Sequence, residues 1–219
     1  MHHAKPATPA APIPENPGFL RGLAWLAIAG CAIFTAALLI GDVVVPDHDW
    51  IADTISDLGA GEYEWIADIG IYGFSLGLIA LAAAASHAHL GGKGWTLGVY
   101  GLLVTGLIVF LVGARNEYGD ADQDGTVIHI YLVYALGVTF AVMPWAMSEG
   151  AARMGDRYGW ACKAATVLWV VMAPIFFFLP TDIDGLYERV LGGVTFIFVI
   201  AVALALLKRA RAVSAFGTG

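Results

Sequence analysis

The chain has 219 residues, of which 59% are hydrophobic and only 13% are charged, and its formal net charge at pH 7 is −7. About one quarter of the residues in a soluble globular domain are charged, so this composition excludes an ordinary water-soluble protein and favours one embedded in lipid. No cluster of basic residues is interleaved with base-stacking aromatic residues, which argues against nucleic acid as a partner.

The chain begins with a tail rich in proline and alanine, residues 1–18, which has too little apolar surface to fold alone. Six apolar segments follow, each close to the roughly 20 residues that an α-helix needs to cross a bilayer. They are residues 19–44, 66–87, 95–115, 127–147, 160–180 and 188–208. We therefore predict an all-α integral membrane protein, a bundle of six transmembrane helices. Its domain covers residues 19–209, between a disordered tail and a short tail of residues 210–219.

Charge divides the connecting segments into two classes. Most of the 18 acidic residues follow the first, third and fifth apolar segments, whereas most of the 11 basic residues lie near the termini or follow the second and fourth. Lys and Arg are retained on the cytoplasmic side of a membrane. We therefore predict a multi-pass protein of the bacterial inner membrane, with both termini in the cytoplasm and the three acidic connections outside.

The first acidic connection is the longest and contains WIADTISDL, residues 50–58. Its apolar residues follow a near-helical spacing: Trp50, Ile51, Ile55 and Leu58. This pattern predicts a short amphipathic helix on the outer membrane surface.

The second acidic connection contains GDADQDG, residues 119–125. Asp120, Asp122 and Asp124, followed by a glycine, match the first half of an EF-hand calcium loop. The second half does not match, because the twelfth position is Tyr131 instead of a bidentate glutamate. Two interpretations stay open: a weak site for Ca²⁺ or another hard cation, and an acidic turn that caps the next helix. We expect no other cofactor.

Two arginines, Arg115 and Arg189, interrupt the acidic connections. A guanidinium at the end of a membrane helix is costly unless it pairs with a carboxylate or an anionic ligand. We therefore expect both arginines to be partly buried against acidic residues, in a polar site where the outer connections converge. The predicted site comprises Asp53, Asp57, Arg115, Glu117, His129, Asp182, Glu188 and Arg189.

Two histidines on the acidic side could contribute to chemistry. His129 lies just inside the outer end of the fourth segment, where an ionisable group suggests either a site or a hydrogen-bonded structural histidine. His48 is flanked by aspartates and could bind Zn²⁺ or transfer a proton, although no metal-binding spacing such as HExxH is present. Ser56, Asp57 and His129 supply the residue types of an acyl-transfer triad, but a loop of this size contains such residues by chance.

Three strings in the acidic connections carry a family resemblance. They are PDHDWIADTISDLGAG at residues 46–61, RNEYGDADQDGTVIHIYLVYALG at 115–137 and FFFLPTDIDGLYERV at 176–190. In their order, and in their spacing to the apolar segments, they resemble the bacterial multi-pass membrane family known as domain of unknown function 998. The resemblance implies a six-helix integral membrane protein and implies no reaction.

Two classes of function remain open. The sequence favours a non-enzymatic membrane protein whose acid-rich, outward-facing polar site binds a cation, a lipid headgroup or a partner subunit. The alternative is a membrane-embedded hydrolase or small-solute transporter that uses the same outer Asp, His and Arg residues. In either case the expected partners are the lipid bilayer and, at the site, a lipid headgroup or another membrane protein.

Overall fold

The computed structural model describes residues 14–59, 61–114 and 128–216. Across these ranges the chain is helical, and six helices are long and apolar enough to cross a membrane. The predicted all-α architecture with six spans is therefore confirmed. The helices are α1 (Pro17–Val44), α2 (Ile55–Leu58), α3 (Glu64–Ala88), α4 (Trp95–Ala114), α5 (His129–Ala152), α6 (Asp156–Phe176) and α7 (Asp184–Phe216).

Several helix ends differ from those predicted. α7 continues past residue 209 to Phe216, so most of the predicted C-terminal tail is helical. α6 begins about one turn earlier than expected, directly after Gly155, whose φ of 151° is accessible mainly to glycine. α2 contains only four of the residues in the predicted amphipathic helix.

The six long helices form a closed ring in which each packs on its neighbours along the chain, and α7 returns to pack on α1. The closest approach between α1 and α3 occurs at glycines. A Cβ atom on Gly30 would lie 2.7 Å from the carbonyl oxygen of Gly73 and 3.1 Å from the Cα of Gly77. Small residues permit such close packing in lipid, where contacts between backbones take the place of the hydrophobic effect.

The two ends of the ring differ in charge. We call one of them the acidic end. It is formed by the C terminus of α1, residues 45–63, the N terminus of α3 and the chain between α6 and α7. We call the opposite end the terminal end, because α1 begins and α7 finishes there. The basic residues Lys93, Arg153 and Lys208 belong to the terminal end.

Packing also differs between the ends. Near the terminal end the interior is dense, and the side chains of Leu81, Trp95, Met147 and Leu206 are fully buried. In α6 every buried residue belongs to the first half of the helix, between Tyr158 and Thr166. The bundle is therefore closed at the terminal end and open at the acidic end.

Large apolar side chains cover the outside of the ring. Examples with more than half of their surface exposed are Trp25, Leu39, Tyr100, Val138 and Trp160. A water-soluble monomer rarely exposes so much contiguous apolar surface, whereas lipid solvates it without cost. The protein is a multi-pass membrane protein.

Candidate functional site

The segment between α1 and α3 folds across the acidic end, and α2 fixes its position. Thr54 begins α2 with a capping box, in which the Asp57 N–H donates to Thr54 Oγ1 and the Thr54 N–H donates to Asp57 Oδ2. Ile55 and Leu58 are buried, at 8% and 2% exposure. α2 therefore inserts its apolar face into the opening of the bundle.

The same segment docks on the first turn of α7. The Ile55 N–H donates to Glu188 Oε2 at 2.7 Å, and the Leu186 N–H donates to the Ile51 carbonyl at 2.9 Å. Gly185 permits this approach, because a Cβ atom there would collide with the carbonyl oxygen of Asp53. Glu188 was among the predicted site residues, and the structure places it in this junction.

Arg189 connects three elements at the acidic end. Its Nη2 donates to Asp42 Oδ1 at 2.8 Å, and its Nη1 donates to the carbonyl oxygens of Asp53 at 2.8 Å and Gly185 at 3.0 Å. The side chains of Arg189 and Asp42 are only 11% and 16% exposed, respectively, so little water screens their attraction. Both terminal nitrogens of the guanidinium are thus used within the protein.

His48 completes this cluster. Its Nε2 lies 3.1 Å from Asp42 Oδ1, its Nδ1 lies 3.3 Å from Asp53 Oδ2, and its side chain is 3% exposed. The turn that directs His48 inward depends on Asp47, whose φ of 57° lies in the left-handed region. We call Asp42, His48, Asp53 and Arg189 the arginine cluster. It joins α1, the first connection and α7.

A cavity of about 200 Å³ extends from the acidic end into the bundle beside the arginine cluster. At the acidic end its wall is polar, with the side chains of Ser56, Asp68, His129 and Glu188. All seven helices contribute to the wall of the cavity as a whole. Deeper in the bundle this wall is almost entirely apolar. The largest deep lining residues are Phe34, Phe74, Leu136, Phe140 and Trp169.

At the polar end of this cavity, Ser56 Oγ lies 3.3 Å from His129 Nε2. Ser56 is carried by α2, and His129 is the first residue of α5 and is 8% exposed. Asp57, which the sequence analysis grouped with them, instead accepts hydrogen bonds from the N–H and the hydroxyl of Thr54. The structure therefore brings together a serine and a histidine that are 73 residues apart, without Asp57 as the third member.

The remaining predicted site residues are located as follows. Asp182 is exposed in the turn before α7. Arg115, Glu117, Asp120, Asp122 and Asp124 lie outside the described residues, so the calcium interpretation stays a prediction. Within the ranges that the structure describes, no group of three or more His, Cys, Asp or Glu side chains could hold a metal ion.

Asp42 and His48 belong to the arginine cluster but were not in the predicted site. The relevant signal was an acid near the end of a span together with a histidine in the string DHD at residues 47–49. That signal carries no information on a partner 147 residues away in α7.

All three strings singled out in the sequence lie within a family match. The family model described as "Protein of unknown function (DUF998)" matches residues 28–205. The chain belongs to this family. The DUF998 match runs from α1 into α7, so it includes both the arginine cluster and the cavity. No curated protein and no solved structure shows significant similarity to the chain.

Proposed function

We propose that this protein binds a neutral single-chain lipid, with the polar head at the acidic end and the acyl chain in the cavity. The supporting observation is the division of the cavity wall into a polar end and an aromatic, apolar interior. A lipid is divided in the same way. The acidic end faces outward in this proposal, because basic residues gather at the terminal end.

The polar wall selects among headgroups by charge. Asp68 and Glu188 both line the cavity, whereas the nearby guanidinium of Arg189 is engaged by Asp42. Carboxylates accept hydrogen bonds from hydroxyl groups and repel phosphate. The favoured head is therefore uncharged and rich in hydroxyl groups, as in a glycerol ester, and an anionic phospholipid head is disfavoured.

The apolar part of the cavity sets the shape of the ligand more than its affinity. A chain that moves from the bilayer into the cavity exchanges one apolar surrounding for another, so it gains little from the hydrophobic effect. The hydrogen bonds of the head therefore decide the affinity. Phe34, Phe140 and Trp169 limit the width of the space, which suits one chain better than a two-chain phospholipid.

A photo-crosslinking experiment tests this proposal. The probe is a monoacylglycerol with a diazirine in its acyl chain, added to the purified full chain in detergent, and crosslinked peptides are mapped by mass spectrometry. We expect crosslinks to residues of the cavity such as Phe140 and Trp169, and competition by unlabelled monoacylglycerol. Anionic lysophospholipid should compete more weakly.

Two adjacent glycines in α7 provide a matched pair of variants. Gly192 lines the cavity, and a Cβ atom there would have only the Phe34 ring within 4 Å, at 3.9 Å. Gly193 is exposed on the outside, with nothing within 4 Å of a Cβ atom. Gly192→Leu should fill the cavity and abolish crosslinking, whereas Gly193→Leu should preserve it. Equal crosslinking in both variants would show that the probe binds elsewhere.

A further inference from the structure

We infer that Ser56 and His129 act as a nucleophile and its general base, which hydrolyse the acyl ester of the lipid held in the cavity. This inference rests on the binding function proposed above and adds a reaction to it. The substrate class is a neutral single-chain carboxylic ester.

The geometry of the two side chains supports this assignment. Ser56 Oγ and His129 Nε2 are 3.3 Å apart, and both residues line the cavity. Serine is a weak nucleophile unless an adjacent base accepts its proton, and such pairs are often slightly longer than an ideal hydrogen bond before substrate binds. When His129 carries its proton on Nδ1, the lone pair of its Nε2 can accept the proton of Ser56 Oγ.

The surroundings hold this pair in place. The capping box of Thr54 and Asp57 fixes α2, and Glu188 anchors the preceding residue through the Ile55 N–H. His129 is held at the start of α5 and is largely buried. Glu188 and Asp57 are thus positioning residues for Ser56.

The position of Ser56 and His129 in the cavity fits the hydrolysis of a lipid ester. In a lipid the ester carbonyl lies between the polar head and the acyl chain. In the cavity, Ser56 and His129 belong to the polar wall, which adjoins the apolar interior. A lipid bound in the proposed orientation therefore places its carbonyl carbon at the level of Ser56 Oγ, and water reaches that level from the acidic end.

The reaction proceeds in two displacements. Ser56 Oγ attacks the carbonyl carbon while His129 Nε2 takes the serine proton, and the carbonyl π electrons move to oxygen. The tetrahedral intermediate collapses, the bond to the alcohol oxygen breaks, and His129 returns the proton to the leaving alcohol. Water then attacks the acyl-serine, His129 accepts one of its protons, and the acyl–Oγ bond breaks. His129 reprotonates Ser56, so the products are one alcohol and one carboxylic acid.

The test uses an alkyl fluorophosphonate with a decyl chain, which phosphonylates an activated serine with loss of fluoride. The purified full chain is treated in detergent, the modified peptide is identified by mass spectrometry, and hydrolysis of p-nitrophenyl decanoate is measured in parallel. We expect modification of Ser56 and turnover of the ester. Ser56→Ala should abolish both, and His129→Gln should reduce both by about 100-fold or more.

Thr35→Ala provides a control outside the cavity. Thr35 is exposed on α1 and donates its hydroxyl to the Cys31 carbonyl, away from the cavity wall and from any assigned reaction. This variant should keep the labelling and turnover of the parent. Melting temperatures of all variants identify any loss of fold, and Ser56→Ala removes only one oxygen atom from the cavity wall.

The outcomes separate the reaction from the binding function. If the diazirine lipid crosslinks to the cavity but the fluorophosphonate does not modify Ser56, the reaction is refuted and binding stands. If neither reagent reaches the cavity, both proposals fail. If Ser56 is modified equally fast in the folded His129→Gln variant, His129 is not the base and the assigned pair is wrong.

Discussion

The guanidinium of Arg189 in α7 lies 2.8 Å from the carboxylate of Asp42 at the end of α1. This pair joins the first and last helices of the ring at the end where the interior is open. α1 and α7 also pack through apolar side chains, as in the edge contact of the Phe34 and Phe196 rings. The ion pair and its hydrogen bonds to the backbone of the first connection therefore add to apolar packing in closing the ring.

Replacement of Arg189 with Met should destabilise the protein by about 3 kcal/mol, because it removes the hydrogen bonds that Arg189 donates to Asp42 and to two backbone carbonyls in a poorly hydrated place. Thermal unfolding in detergent measures the effect. The exposed Arg211 provides a control, and Arg211→Met should leave the melting temperature nearly unchanged.

A double-mutant cycle refines this prediction. Asp42→Asn should also lower the melting temperature, and the combination with Arg189→Met should cost less than the sum of the two single changes. Strict additivity would mean that the two side chains do not interact in solution.

Gly185→Ala should also destabilise the protein, by more than 1 kcal/mol. Alanine stabilises an exposed helical position by about 1 kcal/mol relative to glycine, so any loss must come from the collision with the Asp53 carbonyl. Gly193→Ala, in the same helix and open on its outer side, should be neutral or stabilising. A Gly185→Ala variant as stable as the Gly193→Ala variant would contradict the docking of the first connection on α7.

Cysteine labelling tests the orientation in the membrane. Cysteines introduced at Glu62 and Asp182, both exposed at the acidic end, should react with an impermeant maleimide in intact cells. A cysteine at Lys93, exposed at the terminal end, should react only after permeabilisation. The native Cys31 and Cys162 are buried, which keeps the background low. The reverse pattern would place the acidic end in the cytoplasm.

The acidic string GDADQDG at residues 119–125 yields a separate prediction. Because the twelfth position of the loop is Tyr131, we expect at most weak calcium binding, in the range of about 10⁻⁴–10⁻³ M. If Ca²⁺ binds, it should raise the melting temperature of the parent more than Mg²⁺ does, and the Asp122→Asn, Asp124→Asn double variant should lose that rise. The same melting temperature with either ion would favour the acidic turn.

The six spans were predictable because each one satisfies its backbone hydrogen bonds internally and shows its apolar composition locally. The length of α2 was not predictable from the sequence. The side chain of Asp49 accepts a hydrogen bond from the Ile51 N–H, which competes with helix formation, and Thr54 then starts the helix only at Ile55. Apolar spacing alone does not reveal this competition.

The candidate site was predictable only in part, because its residues are brought together from distant parts of the chain. Glu188 and Arg189 were recognisable as charges at the end of a span. The pairing of Arg189 with Asp42, and of Ser56 with His129, depends on how the helices close into a ring, and the partners are 147 and 73 residues apart. The cavity is lined by residues from all seven helices, an arrangement that leaves no local pattern in the sequence.

The dense interior at the terminal end has a consequence for the movement of a bound lipid across the membrane. Leu81, Met147 and Leu206 are fully buried there, and none of them lines the cavity that extends from the acidic end. In the proposed function, a lipid would therefore enter and depart from the acidic end only. It would be drawn from a single leaflet, and held or altered there without being carried to the other side.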